Sequence, residues 1–151
     1  MLRSLRERID SENGFTLVEL LVVILIIGVL AGIALPAFLG TQKKGQDADA
    51  KSNARNAVSS VELCYAETHT FASCDTVAEL QAIGTKLPVE LTDTTAKKQG
   101  AVSVTATADT YTITGYSQSS NAFAIIKAAD GSSTRTCTTG GQGGCNTGDV
   151  W

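Results

Sequence analysis

Aromatic residues are scarce in this chain of 151 residues: four Phe, three Tyr and one Trp, 5% in all. It has a single histidine, His69, and two prolines, Pro36 and Pro88. It contains no Cys-x-x-Cys pair and no Asn-x-Ser/Thr sequon. Each absence excludes something. No nucleophile–His–carboxylate set can be assembled around the lone His69, so nothing in the sequence supports catalysis. Ligands at zinc spacing are missing, so no metal is expected. No cofactor is expected either. The glycine-rich tail from Thr138 to Trp151 lacks both the Lys and the strand–loop–helix context of a phosphate loop. Basic residues number 12 against 15 acidic ones, a net charge of −3. That balance gives no indication of nucleic-acid binding by the surface as a whole, although a local basic patch remains open.

What the chain does have is one long apolar run. From Leu20 to Leu39 no charged residue occurs, and a membrane-crossing helix needs roughly 20 such residues. One acid, Glu19, abuts the start of the run. A carboxylate beside a bilayer-spanning segment is costly and a span does not need it, so its presence suggests a partner cation. Gly28, Gly32 and Pro36 recur at four-residue intervals. The glycines form a small-residue stripe that lets helices approach closely, and Pro36 removes one backbone hydrogen bond and weakens the helix.

The stretch Gly14-Phe15-Thr16-Leu17-Val18-Glu19, followed by the apolar run with Gly28 and Pro36, resembles the N-terminus of type IV pilins and pseudopilins. The resemblance implies cleavage by a prepilin peptidase between Gly14 and Phe15, and N-methylation of the new terminus at Phe15. It implies a helical filament with the N-terminal helices in its core and Glu19 meeting the amine of a neighbouring subunit. It also places the N-terminus in the cytoplasm and the bulk of the chain outside, anchored in the membrane before assembly and on the surface afterwards. The partners implied are further copies of the chain, the peptidase and the pilus assembly machinery. The chemistry agrees with that picture. Gly14 offers an extended backbone without Cβ at the cut. An amine buried among apolar helices requires a counter-charge. Glu19 lies about one turn beyond Phe15.

The rest of the chain divides by composition. Residues 1–14 read as a leader whose three arginines balance three acids. Residues 15–40 form the apolar helix, and residues 41–151 a globular unit. Within it, an amphipathic helix is expected over 41–68, because Ala50, Ala54, Ala57, Val58, Val61 and Tyr65 repeat at three or four. A continuous helix from Phe15 to Thr68 would extend about 80 Å. Asp47, Asp49 and Lys51 read as its solvated face. Residues 69–100 read as a connector with a short helix over 76–83, and His69 as an exposed connector residue. Alternating stretches at 102–107, 111–116 and 121–128, then Asp130-Gly131 as a hairpin turn into 132–137, predict an antiparallel meander over 101–138. The fold class is therefore α+β: a long N-terminal helix packed on a small sheet, with a C-terminal disulfide loop over 137–151.

Four cysteines, Cys64, Cys74, Cys137 and Cys145, allow three pairings. Cys64–Cys74 and Cys137–Cys145 are favoured, because each pair is close in sequence and brackets a loop. Trp151 either packs to anchor the tail or is exposed. The function expected is a structural pilin subunit. A pseudopilin of a secretion or DNA-uptake system is the alternative within the family. A membrane-tethered binding module with an uncleaved helix is the alternative outside it. An ordinary secretory signal cut near Gly32-Ile33-Ala34 is the rival reading of the apolar run.

Overall fold

The computed structural model describes residues 15–82, 90–91 and 97–151. The leader, with Gly14, lies outside the described residues, as do Ile83 at the end of the expected short helix and Pro88 in the connector. The chain forms two compact units, Met1–Leu39 and Gly40–Trp151. Helix α1, Leu17–Thr68, contributes residues to both. It continues through Pro36 and Gly45, so the helix formers around them outweigh the lost backbone bond and the glycine's entropy.

Of the first unit, the described residues belong to this helix and the two residues before it. Its large side chains, from Leu17 to Leu39, are all exposed. The second unit is built on the small-residue stripe of α1. Ala50, Ala54, Ala57, Val61 and Cys64 are buried at alternating steps of four and three. Val58 and Tyr65, the other members of the expected stripe, pack at its margin. Four strands cover it: β1 Val102–Ala106, β2 Tyr111–Tyr116, β3 Ala122–Lys127 and β4 Ser133–Cys137. They pair antiparallel in the order β1-β2-β3-β4, the meander that the alternation predicts. The β3–β4 hairpin closes through Asp130-Gly131, with Gly131 at φ 82° and the Gly131 N–H donating to the Ala128 carbonyl at 3.0 Å. Gly131 takes the left-handed position that such a loop requires.

Alanines face the sheet because the sheet comes very close. A Cβ placed on Gly115 of β2 would lie 2.3 Å from the carbonyl oxygen of Ala50. Larger helix residues at this crossing would force the layers apart. Further along, Val102, Val104, Tyr111, Ile113 and Ile125 meet Ala57, Val61, Phe71 and Leu80 in the main core. On the alternate face, Ser103 and Tyr116 are buried too, with their hydroxyls 3.1 Å apart. A short helix α2, Val77–Ala82, follows a 3-10 turn at Phe71–Ser73. Disulfide bonds join Cys64 to Cys74 and Cys137 to Cys145. The first ties the end of α1 to the connector. The second closes the tail onto β4.

Candidate assembly surface

The N-terminal end of α1 is held by Thr16 and Glu19. The Thr16 hydroxyl accepts from the Glu19 backbone N–H at 3.2 Å. The Glu19 carboxylate accepts from the Thr16 backbone N–H at 2.9 Å and from its hydroxyl at 2.8 Å. This is a reciprocal capping box, with Thr16 at the N-cap and Glu19 at the third helical position. The expectation that the helix runs from Phe15 is corrected: it begins at Leu17, because Thr16 caps it. Glu19 therefore has a local partner in Thr16, in addition to the cation that its position beside the apolar run suggests. Thr-x-x-Glu is legible in the sequence, and it occurs again at Thr76 and Glu79, where the same three bonds start α2.

Phe15, 85% exposed, precedes the cap. Beyond it, α1 is long and apolar enough to cross a membrane, and none of its most apolar 18-residue window is buried. A Cβ added at Gly28 or Gly32 would meet nothing within 4 Å. At Gly28 the missing side chain leaves an apolar notch among Leu21, Ile24, Leu25 and Val29. Water is a poor solvent for such a surface, and a monomeric soluble protein does not expose one this long. It requires lipid or another apolar helix against it.

In the second unit, the reading of Asp47 as solvated is overturned. Asp47 is fully buried. Its carboxylate accepts from the Ser119 hydroxyl and, at 2.9 Å, from the Asn121 side-chain amide. The tail closes over it through Gly143, φ 57°, where any Cβ would fall 1.5 Å from a carboxylate oxygen. A buried acid survives where fixed donors replace its water. Asp47 thus joins α1, the β2–β3 loop and the C-terminal loop in one socket. Helical periodicity alone places it on the apolar stripe, three residues before Ala50, but an acid there reads as polar surface until the donors are known.

Lys51 is half-buried rather than solvated. Its amine donates to the Gly144 carbonyl at 2.7 Å and sits 4.7 Å from the Phe123 ring centre. Burial pushes the Lys51 amine below its ordinary value, opposed by the charge of Asp47 and reinforced by that of Arg55. Trp151 is anchored: its ring meets Phe123 edge-on at 5.8 Å and its Nε1 donates to the Ala124 carbonyl at 3.2 Å. At the other side of the unit, Glu62 accepts from the Tyr111 hydroxyl at 2.9 Å and from Lys127 Nζ at 2.7 Å. Burial, followed by the hydrogen bond and charge of Glu62, raises the Tyr111 phenol well above its ordinary value. His69 is exposed at the end of α1, with φ 57°. Among the described residues, no three His, Cys, Asp or Glu side chains gather where a metal ion could sit.

Comparison with known proteins fits this division. A family model described as the Prokaryotic N-terminal methylation motif matches residues 9–35. The Type IV narrow pilus major component of Thermus thermophilus is 33% identical over 101 residues, 67% of this chain and 85% of the relative. The Type IV major pilin protein of Myxococcus xanthus is 47% identical over 47 residues, 30% of this chain and 21% of that relative. The Type II secretion system core protein G of Escherichia coli is 46% identical over 44 residues, 29% of this chain and 30% of that one. The chain thus spans less than a third of the length of the last two relatives. No solved structure matches it.

Proposed function

The chain belongs to the type IV pilin family, and on that footing we propose that it is the structural subunit of a surface filament. In this reading the peptidase cuts between Gly14 and Phe15, and Phe15 is N-methylated. The subunit waits in the membrane with its N-terminus inside, then polymerises outside through residues 15–39. The observation that carries the reading is the wholly unburied apolar helix directly behind the Gly14-Phe15-Thr16-Leu17-Val18-Glu19 motif. Lipid covers that surface before assembly, and the same surface of other copies covers it afterwards. Glu19 caps its own helix in the single chain, and the amine that cleavage creates at Phe15 of a neighbour offers it a second partner. Gly28 lets neighbouring helices approach, and the break in bonding at Pro36 lets the packed helix yield. A surface pilin is favoured over a secretion pseudopilin, because a relative matched over most of its own length is a pilus component.

The test is mass spectrometry of the mature chain together with recovery of sheared surface filaments. A mature chain starting at methylated Phe15 and abundant in sheared filaments is the expected result. A chain retaining residues 1–14 is the signature of a tethered module, and one starting at Leu35 that of an ordinary secretory signal. A correctly processed chain that stays in the membrane fraction is the pseudopilin outcome.

A further inference from the structure

A cavity of about 470 Å³ opens on the second unit, where the end of the connector, the β2–β3 loop and the start of the tail meet. That volume lies within the roughly 300–1,000 Å³ of small-molecule sites. Among the described residues, no acid lines it and no residue of either helix does. Thr114, Ser120 and Thr139 bring hydroxyls to its wall, and none of these has a protein partner among the described residues. Lys97 brings the cation. It forms no ion pair among the described residues, where the pairs are Lys98–Glu90 and Lys127–Glu62.

Two further observations mark the cavity as a site. Asn121 lines it and is only 7% exposed. The Asn121 amide nitrogen is committed to Asp47 at 2.9 Å, and its side-chain oxygen has no donor among the described residues. A buried acceptor without a donor is costly, so water or a ligand has to supply one. The second observation is in the backbone. Lys97 and Ser120 stand at φ 44° and 76°, a region that residues with a Cβ rarely enter. Such conformations persist where the surroundings impose them, and they gather at ligand clamps.

The lining selects the ligand. Hydroxyls and a buried amide oxygen call for a molecule with several hydroxyls of its own. Tyr116 and Ala122 supply an apolar wall, which suits the C–H face of a sugar ring. Lys97 calls for one negative charge. Asp47 does not cancel it, because that carboxylate is buried on Ser119 and Asn121 and does not line the cavity. A nucleotide fits less well, since a single cation and no helix N-terminus face the space. A purely apolar ligand would strand the hydroxyls. We propose that this cavity binds a hexuronate, a six-carbon sugar with one carboxylate. The carboxylate meets Lys97, the sugar hydroxyls meet Thr114, Ser120 and Thr139, and one of them donates to the Asn121 side-chain oxygen. The site lies wholly in the second unit and does not depend on the filament reading.

The test is saturation-transfer NMR on the full-length chain in detergent micelles, with glucuronate, glucose and acetate as probes. Glucuronate is expected to bind roughly tenfold more tightly than glucose, the share of one charge-assisted hydrogen bond. Acetate, which lacks the hydroxyls, is expected to displace it poorly. Lys97→Glu should lose the preference for glucuronate and take glucosamine, a cationic sugar, in its place. Thr114→Val keeps the shape and removes one hydroxyl, so it should weaken glucuronate and glucose alike. Both side chains lie outside the core, and native disulfides with unchanged Trp151 fluorescence verify that each variant is folded. No glucuronate signal in the wild type overturns the site. So does displacement by acetate as effective as by glucuronate itself, which would mean an adventitious ion only. Wild-type affinity in both variants overturns it as well, because the sugar would then sit elsewhere.

Discussion

Glu19 shows how one side chain can carry two assignments, and how to separate them. As the capping partner of Thr16 it needs only an acceptor oxygen, which glutamine also supplies. As the counter-charge for a neighbour's amine it needs a full negative charge. Glu19→Gln and Glu19→Ala are therefore both expected to insert and be cleaved normally yet form little filament, although only Glu19→Ala also loses the cap. Wild-type filament yield from Glu19→Gln would reduce the residue to a helix cap. Asp47 makes a second prediction at this scale. Asp47→Ala strands the Ser119 and Asn121 donors, and the lost charge-assisted bonds are worth about 3 kcal/mol. Urea unfolding of residues 40–151, read by circular dichroism, gives the value; a loss below about 1 kcal/mol would mean the socket is not a structural tie. Tyr111 makes a third. Its phenol is raised in the folded state, so its contribution is complete below the unfolded value of about 10. That contribution is lost as pH climbs through the folded value. Unfolding midpoints should therefore fall above about pH 10 in the wild type and stay flat in Tyr111→Phe.

Among the elements, those governed by a simple period were legible in advance. The alanine stripe of α1 and the core-facing residues of β1, β2 and β3 report burial, because side-chain direction follows from backbone geometry, although Ser103 and Tyr116 on the alternate face are buried as well. The Asp130-Gly131 hairpin was legible because only a few residues fit its left-handed position. What escaped were groups whose burial depends on a partner far away in sequence. Nothing near Asp47 announces Asn121 or Gly143, and nothing near Ser103 announces the Tyr116 hydroxyl. The Thr16–Glu19 cap was local and readable, but the apolar run beside it drew the acid into a different explanation. The tail loop offers a test of the element that sequence composition made look weakest. Opening Cys137–Cys145 in a Cys145→Ser variant frees a short loop and is expected to cost about 2.5 kcal/mol on the chain-entropy relation. It should also release the sole tryptophan, with its fluorescence shifting to longer wavelength as the Phe123 contact is lost. An unshifted spectrum would show that the Phe123 and Ala124 contacts hold Trp151 without the bond.

At the scale of the whole molecule, the chain carries two surfaces that call for different surroundings. Residues 20–39 present an apolar surface without a charge, and the second unit encloses a core with polar ties. A change that spares one can disable the other, so membrane level and filament level are to be measured separately for every variant above. The neighbour-to-neighbour strand order bears on time as well as on form. Each strand follows its sheet partner directly in the chain, so the meander can zip up in chain order with short loop closures. The Asp47 socket cannot be completed on that schedule, because it waits for Gly143 at the far end of the chain. Maturation thus has a built-in final stroke. In stopped-flow refolding the sheet signal should rise first, and the change in Trp151 fluorescence should arrive last, as the tail latches over an acid that has been waiting since the helix formed.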